Sequence, residues 1–439
     1  MHPAASASGI PEAVFRTPAA KKDPMKTIVL DDDPTGTQSV TDATVLLQSD
    51  ADAIFDVLSS EDAVYVQTNS RALPEHEAVA FVERVRADGL AAAERLGVEV
   101  RFVLRGDSTL RGHVFAETEV LLDDRSVMLF VPSFPDGGRT TLDGVHYVRI
   151  DGIDVPAHES EYAADPVFPF STGVLADYVA EKSSRPAVGA TLSDVREGRF
   201  ADILASAAPG SVIVPDAVTN DDIHRIALAA DAAARAGARI VVRSASPLAA
   251  ELAGVVSAGL LQTPVEREPG NVLLVCGSHT DGASAQIAGV IERFGDPAIV
   301  STERALDDAA AAGHAAATAA ESALATRPLA FVMTERKRSA AHGTLDHGER
   351  VMAALTTAVG DLQPHVTTVI SKGGITSAEV ATSGLGARRA RVLGQVLPGV
   401  SVWQMTGRDG RSLRYVVVPG NVGGPDALLD VLDAVGLHA

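Results

Sequence analysis

Apolar residues along the chain fall into short continuous runs that alternate with longer segments of helical spacing. The runs of the first series have the character of buried strands and comprise residues 27–30, 63–67, 98–104, 127–131, 212–215 and 240–243. Ala-rich amphipathic segments lie between several of these runs, for example residues 75–96 and 221–236. Because alternating strands and helices are typical of βαβ units, the pattern predicts an α/β fold with a mainly parallel sheet.

A second series of strand-like runs follows a segment rich in turn-forming residues. Residues 262–270 contain two prolines, three charged residues and a glycine. The later runs comprise residues 272–276, 298–300, 329–334, 367–371, 400–404 and 415–418. In parallel sheets, ligands bind outside the carboxyl ends of the strands. We therefore predict two α/β domains with mainly parallel sheets and an active site in the inter-domain cleft. The expected bounds are a flexible arm at residues 1–24, a first domain at residues 25–258, a linker or hinge at residues 259–271 and a second domain at residues 272–439.

The composition narrows the classes of partner. The chain of 439 residues has a formal net charge of −20 and only 4% aromatic residues, which argues against nucleic acids and anionic membrane surfaces as partners. Its single cysteine, Cys276, ends an apolar run and is expected to be a buried thiol in a reducing compartment. No continuous apolar span is long enough for a membrane helix, so we expect a cytoplasmic protein.

An acidic turn follows the first strand-like run, where residues 31–38 read Asp-Asp-Asp-Pro-Thr-Gly-Thr-Gln. Three adjacent aspartates repel one another unless a cation, a donor-rich ligand or backbone amides compensate them, which favours a functional role. Asp32 or Asp33 is the expected base or orienting group for a substrate hydroxyl. Thr35 and Gly36 are expected to contact the substrate, since glycine permits a close approach. The alternative is a structural turn whose aspartates cap local amides.

Polar residues that suit a sugar acid follow other strand-like runs of the first series. Planar guanidinium groups beside hydroxyls match a carboxylate with neighbouring hydroxyl groups. The alternatives are a solvated Arg-Asp ion-pair loop at residues 105–113 and an ordinary surface turn at residues 133–141. The candidate substrate-binding residues in these loops are Asn69, Arg71, Arg105, Ser108 and Arg139.

Glycine-framed loops follow three runs of the second series, at residues 276–279, 372–377 and 419–424. Small residues let a phosphate approach backbone amides, and three such loops in one domain favour a nucleotide site. Residues 376–379 fit a capping box, which predicts a helix start just after Gly374. Neither a Walker-type loop nor a protein-kinase signature is present, and the charged run at residues 335–338 is expected to be solvated. The candidate cofactor-binding residues are Ser278, Lys372, Gly373, Gly374, Ile375, Thr376, Gly420, Asn421 and Gly423.

Taken together, these segments closely resemble the four-carbon acid sugar kinase family, whose members transfer phosphate from ATP to tetronates such as threonate and erythronate. The stretches that carry the resemblance span nearly the whole chain and are residues 32–36, 105–109, 134–140, 277–278, 372–377, 394–400 and 419–424. The resemblance implies a sugar-acid-binding first domain, an ATP-binding second domain and phosphorylation of a terminal hydroxyl.

Carried over by position, the resemblance implies that the acid lies near Asp32, Asp33, Arg105 and Asp107, so that Asp107 joins the candidate catalytic residues. It implies ATP near Ser278, residues 373–376 and Gly420. Two positions depart from the family pattern, since many members have alanine where Asp31 stands and glycine where Ala378 stands. The first departure bears on the choice of metal or substrate.

The expected protein is thus an ATP- and Mg²⁺-dependent sugar acid kinase without assigned metal ligands. Its expected partners are a small sugar acid and ATP, with a homodimer among the open alternatives for subunit number. Asp31-x-Asp33-x-Thr35 also fits a haloacid-dehalogenase-type phosphatase, in which Asp31 would be the nucleophile and Asp33 would handle protons. A third alternative is a sugar-acid sensor without catalysis.

Overall fold

The computed structural model describes residues 25–150, 152–266, 269–336, 345–420 and 422–438. Two predictions fall outside these ranges, namely the arm at residues 1–24 and the cofactor contact of Asn421.

The strands in the described residues are mostly short and largely buried. They are β1 (Lys26–Asp31), β2 (Ala43–Leu46), β3 (Ala63–Gln67), β4 (Val100–Arg105), β5 (Ser126–Val131), β6 (Arg139–Leu142), β7 (Val145–Ile150), β8 (Ile153–Pro156), β9 (Ala187–Ala190), β10 (Val212–Pro215), β11 (Arg239–Ser244), β12 (Asn271–Cys276), β13 (Ala298–Val300), β14 (Leu329–Thr334), β15 (Val366–Lys372), β16 (Arg389–Leu397), β17 (Val400–Thr406) and β18 (Ser412–Val418).

The α-helices follow the strands in both halves of the chain. They are α1 (Ala51–Leu58), α2 (Glu75–Leu96), α3 (Val114–Glu119), α4 (Leu175–Lys182), α5 (Leu192–Arg196), α6 (Phe200–Ser206), α7 (Asn220–Arg235), α8 (Ser246–Ala253), α9 (Asp281–Phe294), α10 (Thr302–Asp307), α11 (Ala309–Ala323), α12 (Leu345–Leu362), α13 (Gly374–Glu379) and α14 (Ala427–Ala434).

One sheet of 15 strands crosses the whole molecule, in the order β13-β14-β12-β15-β18-β17-β16-β2-β3-β1-β4-β11-β5-β10-β9. The strands on either side of the centre are parallel, while β16, β17 and their neighbours pair antiparallel. The predicted α/β class with mainly parallel strands is confirmed. The two expected sheets are continuous with each other, because β16 of the second half pairs with β2 of the first between Arg389↔Leu46 and Val392↔Ala43.

Alternate residues of the central strands pack on opposite faces of this sheet. Ile28 and Leu30 of β1 join a cluster with Ile54 of α1, whereas Val29 belongs to a cluster that also includes Trp403 of β17. Strands covered on both faces carry continuous apolar sequences, which explains why β1, β3 and β5 were predictable. The Val29 cluster extends through both halves of the chain, so the two halves share a core.

The strands that the apolar runs did not predict are short, antiparallel or half-exposed. In β16 the buried residues alternate with more exposed ones, a period of two that an analysis of continuous runs misses. β6, β7 and β8 form a separate antiparallel sheet, and β2 and β9 have only four residues each. Whether these segments form strands depends on their pairing with other strands in the tertiary structure.

The predicted linker is hydrogen-bonded on both sides where it is described. Leu261 N donates to Gln395 O of β16 at 2.7 Å, and Val265 N donates to Ala434 O of α14 at 2.7 Å. Just before it, Ser257 N donates to Ser39 O at 2.9 Å. A hinge motion at residues 259–271 would therefore also have to bend or break the pairing between β2 and β16.

Within the described part of the chain, none of the helices combines the length and the apolar character that crossing a membrane requires.

We expect Thr37→Val to weaken the junction between the two halves. Trp403 Nε1 donates to Thr37 Oγ1 at 2.9 Å, and Thr37 Oγ1 donates to Ser401 Oγ at 3.0 Å. Loss of the hydroxyl leaves the buried indole N–H without its acceptor, which should lower the free energy of unfolding by about 1 to 3 kcal/mol. Urea titration followed by the fluorescence of Trp403, the single tryptophan, measures this change.

The exposed Thr318→Val on α11 is the matched control and should change the free energy of unfolding by less than about 0.5 kcal/mol. Equal urea midpoints for Thr37→Val and the wild type would contradict the assigned role of this contact.

Candidate active site

The acidic turn is buried at the carboxyl end of β1. Asp31 ends the strand, and Asp33 begins the 3₁₀ helix Pro34–Ser39 as its N-cap, where its Oδ1 accepts from Thr35 N at 2.8 Å. A Cβ added at Gly36 would overlap the Asp31 carboxylate, so only glycine lets the turn fold back over that group. The alternative of a structural turn whose aspartates cap local amides therefore applies to Asp33 Oδ1, which accepts from Thr35 N.

Two buried arginines from neighbouring strands compensate this turn. Arg105 Nη1 lies 3.0 Å from Asp31 Oδ1, 3.4 Å from Asp32 Oδ1 and 3.1 Å from the main-chain oxygen of Asp33. On the other side, Arg243 Nη2 lies 3.4 Å from Asp32 Oδ2, and Arg243 also pairs with the buried Glu117. Arg105 is thus engaged with the turn while it also lines the cavity described below, and its predicted contact with a substrate carboxylate stays a prediction.

A second group of charges joins the turn to the Arg105–Arg111 loop. Arg71 pairs with Asp33 Oδ2 and lies 3.4 Å from Asp107 Oδ1. Arg111 Nε donates to Asp107 Oδ2 at 2.8 Å. These ion pairs are mostly buried, so the loop is not the solvated ion-pair loop of the alternative, and its role in substrate binding stays a prediction.

The carboxylates of this cluster differ in acidity. Burial raises the pKa of Asp31 to about 7, against the opposing attraction of Arg105. Burial likewise raises the pKa of Asp32. At Asp33 burial acts in the same direction, but Arg71 and Arg105 outweigh it and the pKa falls below its usual value. At Asp107 burial is similarly outweighed by Arg111 and Arg71, so its pKa is lowered as well. Asp33 and Asp107 are therefore ionised at neutral pH.

The three glycine loops of the second half converge at the carboxyl ends of β12, β15 and β18. A Cβ at Gly373 would lie 3.2 Å from Ser278 Cβ, and one at Gly420 would lie 3.2 Å from Ser278 Oγ. A Cβ at Gly277 would overlap Thr376 Oγ1, and Thr280 Oγ1 donates to Gly420 O at 3.1 Å. Loops that lie between 47 and 140 residues apart in sequence thus form one surface of small residues.

One prediction about these loops needs correction. Helix α13 begins at Gly374, so residues 376–379 lie inside it and form no capping box; Ser377 Oγ donates back to Gly373 O at 2.7 Å instead. Lys372 is fully buried below the loops, where its Nζ donates to Pro419 O at 2.7 Å, and burial lowers its pKa to about 8. In this arrangement Lys372 is hydrogen-bonded to the Pro419 loop, and its predicted contact with the nucleotide stays a prediction.

The acidic turn and the glycine loops meet directly. A Cβ added at Gly374 would overlap Asp33 Oδ2, so the Gly374 backbone packs against the Asp33 carboxylate. Although the two residues belong to different halves of the chain, the junction between β2 and β16 places them in contact. The group predicted to handle a hydroxyl proton therefore adjoins the loops predicted to receive a nucleotide.

A cavity of about 690 Å³ reaches the acidic turn at Thr35. Residues from both halves of the chain line it, among them Thr35, Asp107, Ser108, Arg139, Gly399 and Gly423. One of these residues, Arg139, donates to Gly137 O. The volume of the cavity is sufficient for a small organic acid beside a nucleotide phosphate chain.

Of the remaining predicted residues, Gly423 lines the cavity, whereas Asn69 and Ile375 are not among the residues that line it. Asn69 has a φ of 48° and precedes the short 3₁₀ helix that carries Arg71. Ile375 is 53% exposed on α13. The carbonyl of Gly423 accepts from Gln286 Nε2 at 3.1 Å.

Sequence reasoning missed several residues that shape the site. His146 Nε2 donates to Ser108 O at 2.8 Å, and burial lowers its pKa to about 4, so the ring is neutral and holds that loop. Arg336, expected to be solvated, donates to Ser278 O and, at 3.2 Å, to Thr280 O. Arg243 ends a predicted strand. Charged residues are rare in buried strands, and this was the one signal in the sequence for its role.

Among the described residues, no three His, Cys, Asp or Glu side chains are grouped so that they could hold a metal ion. The aspartates of the acidic turn are instead paired with arginines.

The fold and this site define a two-domain protein that brings a sugar-binding region against a nucleotide-binding region. Residues 27–252 match the family model described as a sugar-binding N-terminal domain, and residues 273–428 match the one described as a nucleotide-binding C-terminal domain. Between them the two models account for most of the chain.

Curated relatives and a solved structure agree with this division. The chain is 26% identical to a D-threonate kinase of Salmonella typhimurium, covering 93% of this chain and 98% of the relative. It is 30% identical to a D-threonate kinase of Cupriavidus necator, covering 85% and 87%. The fold is similar to that of Haemophilus influenzae protein HI1011, with a TM-score of 0.61, 20% identity and coverage of 93% and 99%. The chain belongs to the four-carbon acid sugar kinase family.

We expect Gly374→Ala to destabilise the contact with Asp33. The new methyl group must displace the carboxylate, which should lower the free energy of unfolding by about 1 to 3 kcal/mol in chemical denaturation. Gly424→Ala is the control, because no atom lies within 4 Å of a Cβ built there.

A double-mutant cycle makes the test specific to this pair. In an Asp33→Ala background the same Gly374→Ala change should be milder, with a coupling energy of about 1 kcal/mol. Strictly additive effects would show that the two residues do not touch.

Proposed function

We propose that the chain is an ATP-dependent kinase that phosphorylates the terminal hydroxyl of a small sugar acid with four carbons. The observation that carries this proposal is the contact between Asp33 and Gly374, together with a cavity that residues of both halves line and that reaches the acidic turn at Thr35. Phosphoryl transfer requires an acceptor hydroxyl and a phosphate chain to be held in line, and catalysis consists mainly of that positioning. A carboxylate next to glycine loops supplies such an arrangement.

The sugar acid is proposed to bind on the first-domain side of the cavity. Thr35 and Ser108 line the cavity there and offer hydroxyls. Because Arg71, Arg105 and Arg111 are engaged by aspartates, Arg139 is the guanidinium we assign to the substrate carboxylate. Its Nε is buried without a hydrogen-bond partner among the described residues.

The phosphates of ATP are proposed to lie on the surface formed by Ser278, Gly373 and Gly420, where backbone amides and hydroxyls can donate to them. Mg²⁺ would arrive with the nucleotide and be held through its phosphate oxygens and water, as is usual for this ion in kinases. The proposed location is the cytoplasm.

Asp33 is proposed as the group that orients the acceptor hydroxyl and accepts its proton. Its lowered pKa keeps it ionised at neutral pH, and it is the aspartate of the turn that adjoins the glycine loops. Asp32, held between Arg105 and Arg243, supports the turn from below. Asp107 shares Arg71 with Asp33 and faces the cavity, so it is proposed to bind hydroxyls of the sugar acid.

The phosphatase alternative lacks an accessible nucleophile. It requires Asp31 to attack a phosphate, whereas Asp31 is completely buried beneath Gly36. It also leaves the convergence of three glycine loops without a role. A sensor without catalysis would retain both ligand sites and differ only in turnover.

We expect purified protein with ATP and Mg²⁺ to release ADP when a four-carbon aldonate is added. A coupled assay over three- to six-carbon aldonates and keto acids measures the rate, and mass spectrometry of the product identifies the phosphorylated hydroxyl. Binding of both ligands without ADP release would favour the sensor. Phosphate release from phosphate esters without ATP use would favour the phosphatase.

We expect Asp33→Asn to lower kcat by about 100-fold or more, since the amide cannot accept the proton. Stabilisation by ADP and Mg²⁺ in a thermal-shift assay should remain near the wild-type value, because the glycine loops are in the other domain. Asp430→Asn, at an exposed position on α14, is the control for loss of a carboxylate. Loss of both turnover and ADP stabilisation in Asp33→Asn would contradict the separation of duties.

A further inference from the structure

Four buried polar residues form a row across neighbouring strands just below the acidic turn. Asp31 of β1 is in register with Gln67 of β3 and with Arg105 of β4, and Arg105 is in register with Ser244 of β11. Residues in register on parallel strands project from the same face of the sheet. The row therefore lies side by side in the interior, where all four side chains are at least nine-tenths buried.

Each member of the row has a polar atom with no hydrogen-bond partner among the described residues. These atoms are Gln67 Oε1, Asp31 Oδ2, Arg105 Nε and Ser244 Oγ. Buried polar atoms in native proteins are almost always hydrogen-bonded, and a water that bridges two of them is the usual solution. Neighbouring strands lie about 4.8 Å apart, a spacing that one water can bridge. Asp31 Oδ1 thus accepts from Arg105, whereas the buried Oδ2 can carry a proton or bind an internal water.

The turn above this row rests on Asp31. The carboxylate lies beneath Gly36, and its Oδ1 takes the Arg105 nitrogen that also contacts Asp32 Oδ1 and the main-chain oxygen of Asp33. Without the Asp31 carboxylate, Arg105 would lose its shortest contact to the turn and the space under Gly36 would be empty. The position of Asp33 against Gly374 depends on the same turn.

We propose that Asp31 is a positioning residue for the proposed phosphoryl transfer: it holds Arg105 beneath the acidic turn and, by gaining or losing a proton, sets the charge that Asp33 experiences. This role rests on the proposed function. Asp31 itself does not touch the substrate, because it is sealed under Gly36.

The charged and titratable groups that face Asp31 come from three strands. They are Arg105 on β4, Tyr65 on β3, and Asp32 and Asp33 at the end of β1 itself. Burial raises the pKa of Asp31 to about 7, Arg105 opposes the shift, and Asp32 and Asp33 add to it. The carboxyl therefore changes charge close to neutral pH.

The sign of the effect on the reaction follows from the sharing of Arg105. When Asp31 is protonated, more of the Arg105 charge acts on Asp32 and Asp33 and makes them weaker bases. When Asp31 is ionised, it competes for Arg105 and repels the two neighbours, which makes them stronger bases. We expect kcat to rise as the pH increases through about 7.

The test compares Asp31→Asn and Asp31→Ala with the wild type. Asp31→Asn keeps an acceptor for Arg105 but cannot ionise, so the rise of kcat near neutral pH should disappear. Asp31→Ala should lower kcat by about 10-fold or more while the KM for ATP stays within about twofold, as expected for lost positioning. If Asp31→Ala does not fold, the pH profile of Asp31→Asn alone decides the question.

A second measurement needs no activity. Because the pKa of Asp31 is higher in the folded protein than the ordinary value of about 4, the folded state binds the proton more tightly, and the stability that Asp31 contributes is present below about pH 4 and lost by about pH 7. The Tm of the wild type relative to that of Asp31→Asn should therefore decrease across this range. Asp430→Asn should run parallel to the wild type.

The two failures are distinguishable. A wild type with no turnover on any acid would defeat the proposed function, and the role of Asp31 in that reaction with it. An active wild type whose kcat profile and Tm curve are both reproduced by Asp31→Asn would defeat only the role of Asp31.

Discussion

The rest of the structure depends on the packing contact between the acidic turn and the second domain. Trp403 donates to Thr37 in the middle of the turn, and Gly374 packs against Asp33 at its start. The pairing of β2 with β16 carries the backbone hydrogen bonds of the sheet across the same junction. The carboxylate and the glycine loops are therefore held together by a buried interface, in which each polar group would be costly to leave unpaired.

Burying three adjacent aspartates imposes an electrostatic constraint that the neighbouring strands satisfy. Arg105 and Arg243 come from β4 and β11, and Arg71 comes from the short helix after β3. Because these arginines are paired with aspartates, Arg139 is the guanidinium that we propose for binding an organic acid. They also give the aspartates unequal acidities, since the pKa of Asp33 is lowered while burial raises that of Asp31 to about 7.

Local pattern and tertiary contact contributed differently to the prediction of the site. The acidic turn and glycine loops were predictable because strand ends, glycines and charged residues are visible in a short window of sequence. Arg243, His146 and Arg336 were not, because each acts on a loop far away in the chain through a contact that no local spacing announces. Lys372 shows a different limit of local patterns. Its place in a glycine loop predicts contact with a nucleotide, but the sequence does not reveal that the side chain is enclosed by the Pro419 loop.

The sequence by itself determined the α/β class, most strands of the parallel regions and the loops that hold the candidate site, because apolar periodicity and turn chemistry act over a few residues. Only the tertiary structure decided that two expected sheets are one, which arginine neutralises which aspartate, and that Asp33 meets Gly374. The physical reason is separation: the bond between Trp403 and Thr37 joins residues 366 positions apart, and such pairings are selected by the fit of whole surfaces.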